Sequence, residues 1–203
     1  KISEHGWQTN VEHAINKQHQ FNYGVKLSQR TFTINQVDIT QKDSTGSIYN
    51  RDTFSNPKVP VLDFYTYADY LFSWNNKLDI KTGMQFFLYH AKSKTFFYPQ
   101  PRVEIIYHPM TGMSLRASVL RTVQPLHLLT NNTGDIQNDV WVPATSKVEP
   151  ETSWQYSGGI QYDHPKGYTA SIDGYYKTMQ HLSEYKYGTT FILDNIDWDD
   201  QLL

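Results

Sequence analysis

The sequence predicts an all-β protein, built as an antiparallel meander of about eight strands with short turns at one end and long loops at the other. Apolar and polar residues alternate along four pairs of segments, as they do when successive side chains of a strand point to opposite faces. The chain is 15% aromatic and holds fifteen Tyr, and aromatic residues favour strands. It has no run of eighteen apolar residues, which excludes a transmembrane helix.

Four hairpins follow one another along the chain. In the third, Val103 and Ile105 alternate with Arg102 and Glu104 before the turn "HPMTGM", and the alternation resumes after it. The predicted strand pairs are residues 7–15 with 20–32, 63–74 with 77–90, 102–107 with 114–122, and 153–163 with 167–179.

The connections alternate in length. Short turns join the two strands of each hairpin, whereas the connections over residues 33–62, 124–152 and 182–203 are long and polar, and the one over 91–101 is shorter. In an antiparallel meander this order puts the short turns at one end of the sheet and the long loops at the other. Outer-membrane barrels have short turns on one side of the membrane and long loops on the other. The predicted strands are about nine to fourteen residues long, and a strand of ~9–11 residues is long enough to cross a bilayer. The pattern therefore favours a transmembrane β-barrel.

The two faces of the predicted sheet differ in polarity. The apolar face is expected to meet outer-membrane lipid and includes Val103, Ile105, Leu115, Ala117, Val119, Ile160 and Ile172. The polar face is expected to line the lumen and includes Arg116, Gln155, Gln161, Asp173 and Lys177. Isolated glycines within the strands, Gly24, Gly83 and Gly174, predict bulges or close approaches of the backbone.

Charge and motif content exclude several classes of function. The net charge is −2, which gives no general electrostatic attraction to nucleic acid. The chain has no Cys, and its eight His show no spacing typical of metal ligands, so neither a metal site nor a cofactor is predicted. No combination of nucleophile, base and oxyanion donors can be assembled, and an enzyme is therefore not expected.

Residues 98–185 resemble the late barrel strands of a TonB-dependent outer-membrane receptor. The resembling stretches are "YPQPRVEIIYHPMTGMSLRASVLRTVQPLHLL", "DVWVPATSKVEPETSWQYSGGIQYD" and "YTASIDGYYKTMQHLSEY". Members of that family show a strand that opens on Pro-Arg, a Pro-Glu before a later strand, and a strand that ends in Tyr-Tyr-Lys. The "WVP" ahead of the Pro-Glu is most similar to receptors of the Bacteroidetes, including their glycan-import relatives.

The resemblance implies a 22-stranded barrel with a plugged lumen in the bacterial outer membrane. It also implies uptake of a scarce nutrient such as a glycan or siderophore, driven by the TonB system through the plug. The 203 residues hold about eight strands and neither the plug nor the terminal strands. Residues 1–203 are therefore expected to be a partial barrel domain of a receptor.

One long loop carries the predicted ligand-binding residues. The stretch "PLHLLTNNTGDIQNDVWVPA" offers His127, Asn132, Asp139 and Trp141, a mixture suited to stacking on and hydrogen-bonding a small molecule or an oligosaccharide. The alternative is that Leu126, Leu128 and Leu129 pin this loop to its neighbours. Whether a surface lipoprotein covers the barrel is left open by the sequence.

Two other hypotheses fit the same strand pattern. One is a complete eight-stranded outer-membrane barrel with a narrow, filled interior. The other is a soluble β-sheet carbohydrate-binding module that uses Trp and Tyr as stacking platforms.

Overall fold

A computed structural model describes residues 2–33, 41–42, 48–49, 58–131 and 138–183, and these contain strands and turns. The strands are β1 (Ile2–Ala14), β2 (His19–Thr33), β3 (Gln41–Lys42), β4 (Ile48–Tyr49), β5 (Lys58–Trp74), β6 (Leu78–Ala91), β7 (Lys94–Tyr107), β8 (Met113–Gln124), β9 (Leu126–Asn131), β10 (Asn138–Pro143), β11 (Glu151–Asp163) and β12 (Thr169–Gln180).

Eight of these strands form one antiparallel sheet in the order β1-β2-β5-β6-β7-β8-β11-β12. The predicted meander of about eight strands is therefore confirmed, and all four predicted hairpins are present. The eight strands of this sheet are 12 to 17 residues long, so each is longer than the ~9–11 residues that cross a bilayer. β3 pairs with β4, and β9 pairs with β10, as two small separate sheets between β2 and β5 and between β8 and β11.

The connection between β6 and β7 differs from the predicted loop over residues 91–101. β6 ends at Ala91 and β7 begins at Lys94, so the turn is tight, with Lys92 in the left-handed region at φ 52°. Pro99 and Pro101 lie within β7 although proline cannot donate to a strand ladder. β7 tolerates them because β8 pairs with it only from Arg102 to Tyr107.

The strand register divides the sheet into an apolar face and a polar face. Residues that pair across neighbouring strands share a face, so the pairs Val103↔Val119 and Ile105↔Ala117 fall on the same side as Leu115↔Ile160 and Ile160↔Ile172. The apolar face continues over all eight strands and carries most of the exposed large apolar side chains, including Trp7, Leu27, Phe64, Leu88, Ile105, Val119, Ile160 and Ile172.

The polar face becomes apolar at its loop end, where the hydrophobic core lies. This core contains Phe32, Val59, Val61, Phe87, Tyr89, Ala91, Phe96 and Ala144. All except Ala144 project from β2, β5, β6 or β7. Ala144 comes from the linker between β10 and β11, residues 144–150, which we call the strap. The core therefore forms where the strap packs on the sheet.

Candidate functional site

The polar face carries an ion pair that spans three strands. Arg102 on β7 donates to Asp69 on β5, from Nε to Oδ1 at 2.7 Å and from its terminal nitrogen to Oδ2 at 2.8 Å. Gly83 on β6 lies between them, in register with both. A Cβ at Gly83 would collide with the Asp69 carboxylate. The glycine therefore opens the path over which the guanidinium reaches its partner.

The same arrangement occurs twice more on this face. Arg116 on β8 donates to Asp173 Oδ1 on β12 at 3.0 Å, across Gly159 on β11. The second of these is uncharged: the Tyr67 hydroxyl on β5 donates to Asn10 Oδ1 on β1 at 2.9 Å, across Gly24 on β2. A long side chain thus crosses a glycine on the middle strand each time. We call these three contacts the glycine bridges.

The predictions for Gly24 and Gly83 are confirmed as close approaches, since a Cβ on either would meet neighbouring atoms within 3 Å. No Cβ contact within 4 Å would form at Gly174, and its strand pairs without a bulge, so that prediction was wrong for Gly174.

All five predicted lumen residues lie on the polar face. Gln155 pairs with Lys177, while Arg116 and Asp173 both pair with Gly159 and are joined by an ion pair that the sequence did not predict. Gln161 lies on the same face, in register with Ser171. That this face lines a lumen stays a prediction.

A groove of about 300 Å³ opens on this part of the polar face. Its lining includes Glu104, Arg116, Ser118, Gln155, Ser157, Asp173 and Tyr175. The hydroxyls of Ser118 and Ser157 are 2.6 Å apart and link β8 to β11. Carboxylate, guanidinium, amide and hydroxyl groups together make this surface suited to water and to polar ligands rather than to a packed apolar core.

Nearer the loop end, an ion pair is buried among the core residues. Asp63 is fully buried, and its Oδ2 accepts hydrogen bonds from Arg30 Nε at 2.6 Å and from the Ser28 hydroxyl at 3.2 Å. The terminal nitrogen of Arg30 also contacts this oxygen. The cation that faces the buried Asp63 carboxylate is therefore a partly buried arginine on the neighbouring strand.

The four predicted ligand residues of the long loop do not form one surface. Trp141 is 45% exposed and pairs with Leu128 in the β9–β10 hairpin, whereas His127 is fully buried and pairs with Val142 on the opposite face of that hairpin. Asp139 lies on β10 in register with Thr130, and Asn132 lies outside the described residues.

His127 is buried and contacts other parts of the chain rather than solvent. Its Nδ1 is 3.1 Å from Glu151 Oε1, and its Nε2 is buried without a hydrogen-bond partner in the part of the chain that the structure describes. Burial lowers the pKa of this imidazole, although the nearby Glu151 carboxylate acts in the opposite direction. The prediction that His127 meets a ligand is therefore corrected, because the imidazole joins the hairpin to β11.

Among the described residues, no three His, Cys, Asp or Glu side chains lie together as a group that would hold a metal ion. None of the described residues forms a helix long and apolar enough to cross a membrane.

A comparison with protein families is decisive for this chain. Residues 3–201 match the model described as "TonB dependent receptor-like, beta-barrel". The chain belongs to this family. The TonB-dependent receptor barrel is an outer-membrane structure, so the chain is part of an outer-membrane protein, as the resemblance implied. No curated protein matches the chain.

Solved structures show the same barrel fold. The FrpB iron transporter from Neisseria meningitidis (F3-3 variant) aligns with a TM-score of 0.66 at 13% identity, over 94% of this chain and 30% of that one. The siderophore receptor PirA from Acinetobacter baumannii gives 0.60 at 18%, over 91% and 27%. The copper transporter OprC gives 0.65 at 15%, over 92% and 31%. This chain thus spans about 30% of the length of these transporters.

These findings decide between the hypotheses raised by the strand pattern. A soluble carbohydrate-binding module is wrong, because the family is one of outer-membrane barrels. A closed eight-stranded barrel is also not what the described residues form, because β1 and β12 are the two edges of their sheet and do not pair with each other.

Proposed function

We propose that the chain is a section of the barrel wall of a TonB-dependent receptor that takes up a scarce nutrient across the outer membrane. Residues 1–203 are then a partial barrel domain, contributing eight strands of a 22-stranded barrel. The observation that carries this proposal is the division of all eight strands into an apolar and a polar face. The short span of the chain relative to the solved transporters supports it as well.

The apolar face is placed against lipid in this proposal. Its side chains are exposed in the sheet, as Ile172 is at 81%, together with Ile160 and Tyr176 on the same face. In water such an area would be an aggregation hazard, whereas lipid is a favourable solvent for it. The short turns then lie on the periplasmic side and the long loops on the extracellular side.

The polar face is placed against the lumen. Arg116, Gln155, Gln161, Asp173 and Lys177 would meet water, the nutrient or the plug that the TonB system displaces. The glycine bridges support this placement, because charged groups that already have partners remain stable beside a wet interior.

The nutrient is proposed to be a glycan, a siderophore or a similarly scarce compound. Trp141 is the described loop residue best placed to meet it, because its indole is exposed beside Leu128 on a hairpin above the sheet. Asp139 on β10 and Asn132, which lies outside the described residues, remain candidates. The "WVP" that contains Trp141 supports a receptor of the Bacteroidetes type, for which a surface lipoprotein partner is also proposed.

Growth of a strain that lacks the complete receptor gene tests the proposal. The strain is given one limiting source at a time, an oligosaccharide, a ferric siderophore or a copper salt, and is complemented with the native gene or with Trp141→Ala. We expect the native gene to restore growth on one source only while TonB is present, and Trp141→Ala to restore it less well. Equal growth of the deleted and complemented strains on every source would contradict a role in nutrient uptake.

A matched control separates ligand contact from folding. Trp154→Ala removes a tryptophan of similar exposure from the apolar face of β11 rather than from the loop hairpin. We expect it to leave the concentration of nutrient that gives half-maximal uptake unchanged when the amount of receptor in the membrane is matched.

A further inference from the structure

The strap is docked on the polar face by main-chain and apolar contacts. The Tyr89 hydroxyl donates to the Ala144 carbonyl oxygen at 3.0 Å, and the Ala144 N–H donates to the Pro125 oxygen at 2.8 Å. Ala144 and Val148 are buried, whereas Ser146 on the same strap is exposed. The strap therefore has a core-facing side and a solvent-facing side.

Charged groups hold the far end of the strap at the surface. One carboxylate oxygen of Glu149 lies 3.2 Å from Lys94 Nζ at the start of β7, and the other lies 3.6 Å from His181 Nε2 beyond β12. The strap thus reaches from β7 to the chain after β12. Because these three side chains are exposed, solvent and salt screen their attraction.

A further contact, at the base of the strap, is buried and contains an ionisable pair. His127, at the start of the hairpin that leads into the strap, contacts Glu151, the first residue after the strap. The His127–Glu151 pair therefore closes the base of a loop that contains both the hairpin and the strap. A protonated imidazole would carry a second buried N–H, and Nε2 makes no hydrogen bond with the described residues.

We propose that the His127–Glu151 pair is an acid-released clasp that keeps the strap docked at neutral pH and frees it when the surrounding medium is acidified. The clasp concerns the conformation of this loop and does not depend on which nutrient the receptor carries.

Whether acid docks or releases the strap depends on which of the two states binds a proton more readily. In the docked state burial lowers the pKa of His127 below its ordinary value of 6.5, against the opposing effects of the Glu151 carboxylate and the Glu149 main chain, and the residue regains that value once the strap is released. The released state therefore binds the proton more readily, and acidification below pH 6.5 favours release until the lowered pKa of the docked state is reached. One proton shifts the equilibrium by at most about tenfold per pH unit in this window. Protonation of His181 would strengthen its pair with Glu149, but that opposing effect is screened at the surface.

Thiol labelling of the complete receptor in lipid vesicles tests the clasp. The chain has no Cys, so Ala144→Cys reports on the buried side of the strap and Ser146→Cys on its exposed side, in a receptor without other accessible thiols. Both are labelled with a methanethiosulfonate reagent between about pH 7.5 and about pH 5.5, and the ratio of the two rates is taken. Val148→Cys is a second buried probe if Ala144→Cys does not fold.

We expect the ratio of buried to exposed labelling to rise as the pH falls, by up to about tenfold per unit, with native His127. In a His127→Gln background the ratio should be independent of pH, whether the strap is then docked or free. A ratio that does not change with pH when His127 is present, at both buried probes, would overturn the proposal. So would the same rise with acidity in the His127→Gln background.

Discussion

Asp63 is a buried carboxylate whose charged partner is Arg30. Its buried carboxylate is compensated by Arg30, so Arg30→Met should leave an uncompensated buried charge and reduce the free energy of unfolding by about 3–5 kcal/mol. Lys26→Met, on the same strand, removes only the exposed pair with Glu4 and should cost about 0–1 kcal/mol. Urea unfolding of the complete receptor in lipid vesicles compares the two. Equal losses would show that Arg30 does not compensate the charge of Asp63.

The glycine bridges lead to a second prediction at this scale. Gly83→Ala would place a methyl group against the Asp69 carboxylate and the Arg102 guanidinium, and overpacking of this kind costs about 1–3 kcal/mol. At Gly158 on β11 the nearest atom to an added Cβ is the Arg116 oxygen at 3.7 Å, an ordinary contact. Gly158→Ala should therefore leave the free energy of unfolding nearly unchanged in the same assay. If both substitutions were neutral, the bridges would not need their central glycines.

At the scale of a strand, β8 tests the assignment of the two faces. Val119→Arg puts a charge on the apolar face, where one at the middle of the bilayer costs ~2–4 kcal/mol. Ser118→Arg puts the same side chain on the polar face and mainly loses the hydrogen bond to Ser157, worth about 0.5–1.5 kcal/mol. Reversible unfolding in vesicles should show the larger loss for Val119→Arg. A larger loss for Ser118→Arg would reverse the two faces.

The strands themselves could be predicted from the sequence because alternation is a local property. The same rule assigned Val119 and Ser118 to opposite faces before any register was known. It failed over residues 91–101, where Pro99 and Pro101 indicate a loop. Their presence in a strand depends on where β8 stops pairing with β7, which is a tertiary property.

Contacts between distant strands could not be predicted in this way. Arg116 and Asp173 are 57 positions apart, and only the register of three strands brings them together over Gly159. The burial of His127 has the same origin, because the hairpin folds so that one of its faces packs inward. The composition of the loop indicated a ligand-binding segment, but it did not show which of its side chains are accessible.

At the scale of the whole molecule, β1 and β12 are the edges of the described sheet. Open edges offer unpaired main-chain groups to further strands, as required of one section of a larger barrel. The strap and the core beneath it lie at the loop end of the same sheet. We therefore expect three zones along the strands: short turns, a wall with one apolar and one polar face, and a loop end partly covered by the strap.

Nitroxide scanning of β11 in the complete receptor, reconstituted in lipid vesicles, tests whether the sheet separates lipid from a lumen. A spin label is placed at each position from Gln155 to Tyr162, and its collisions with oxygen, which concentrates in lipid, and with a water-soluble nickel complex are measured. We expect oxygen maxima at Tyr156, Gly158, Ile160 and Tyr162, on the apolar face, and low values at Gln155, Ser157 and Gln161. Oxygen accessibility without a period of two, or with maxima on the polar face, would contradict a barrel wall between lipid and lumen.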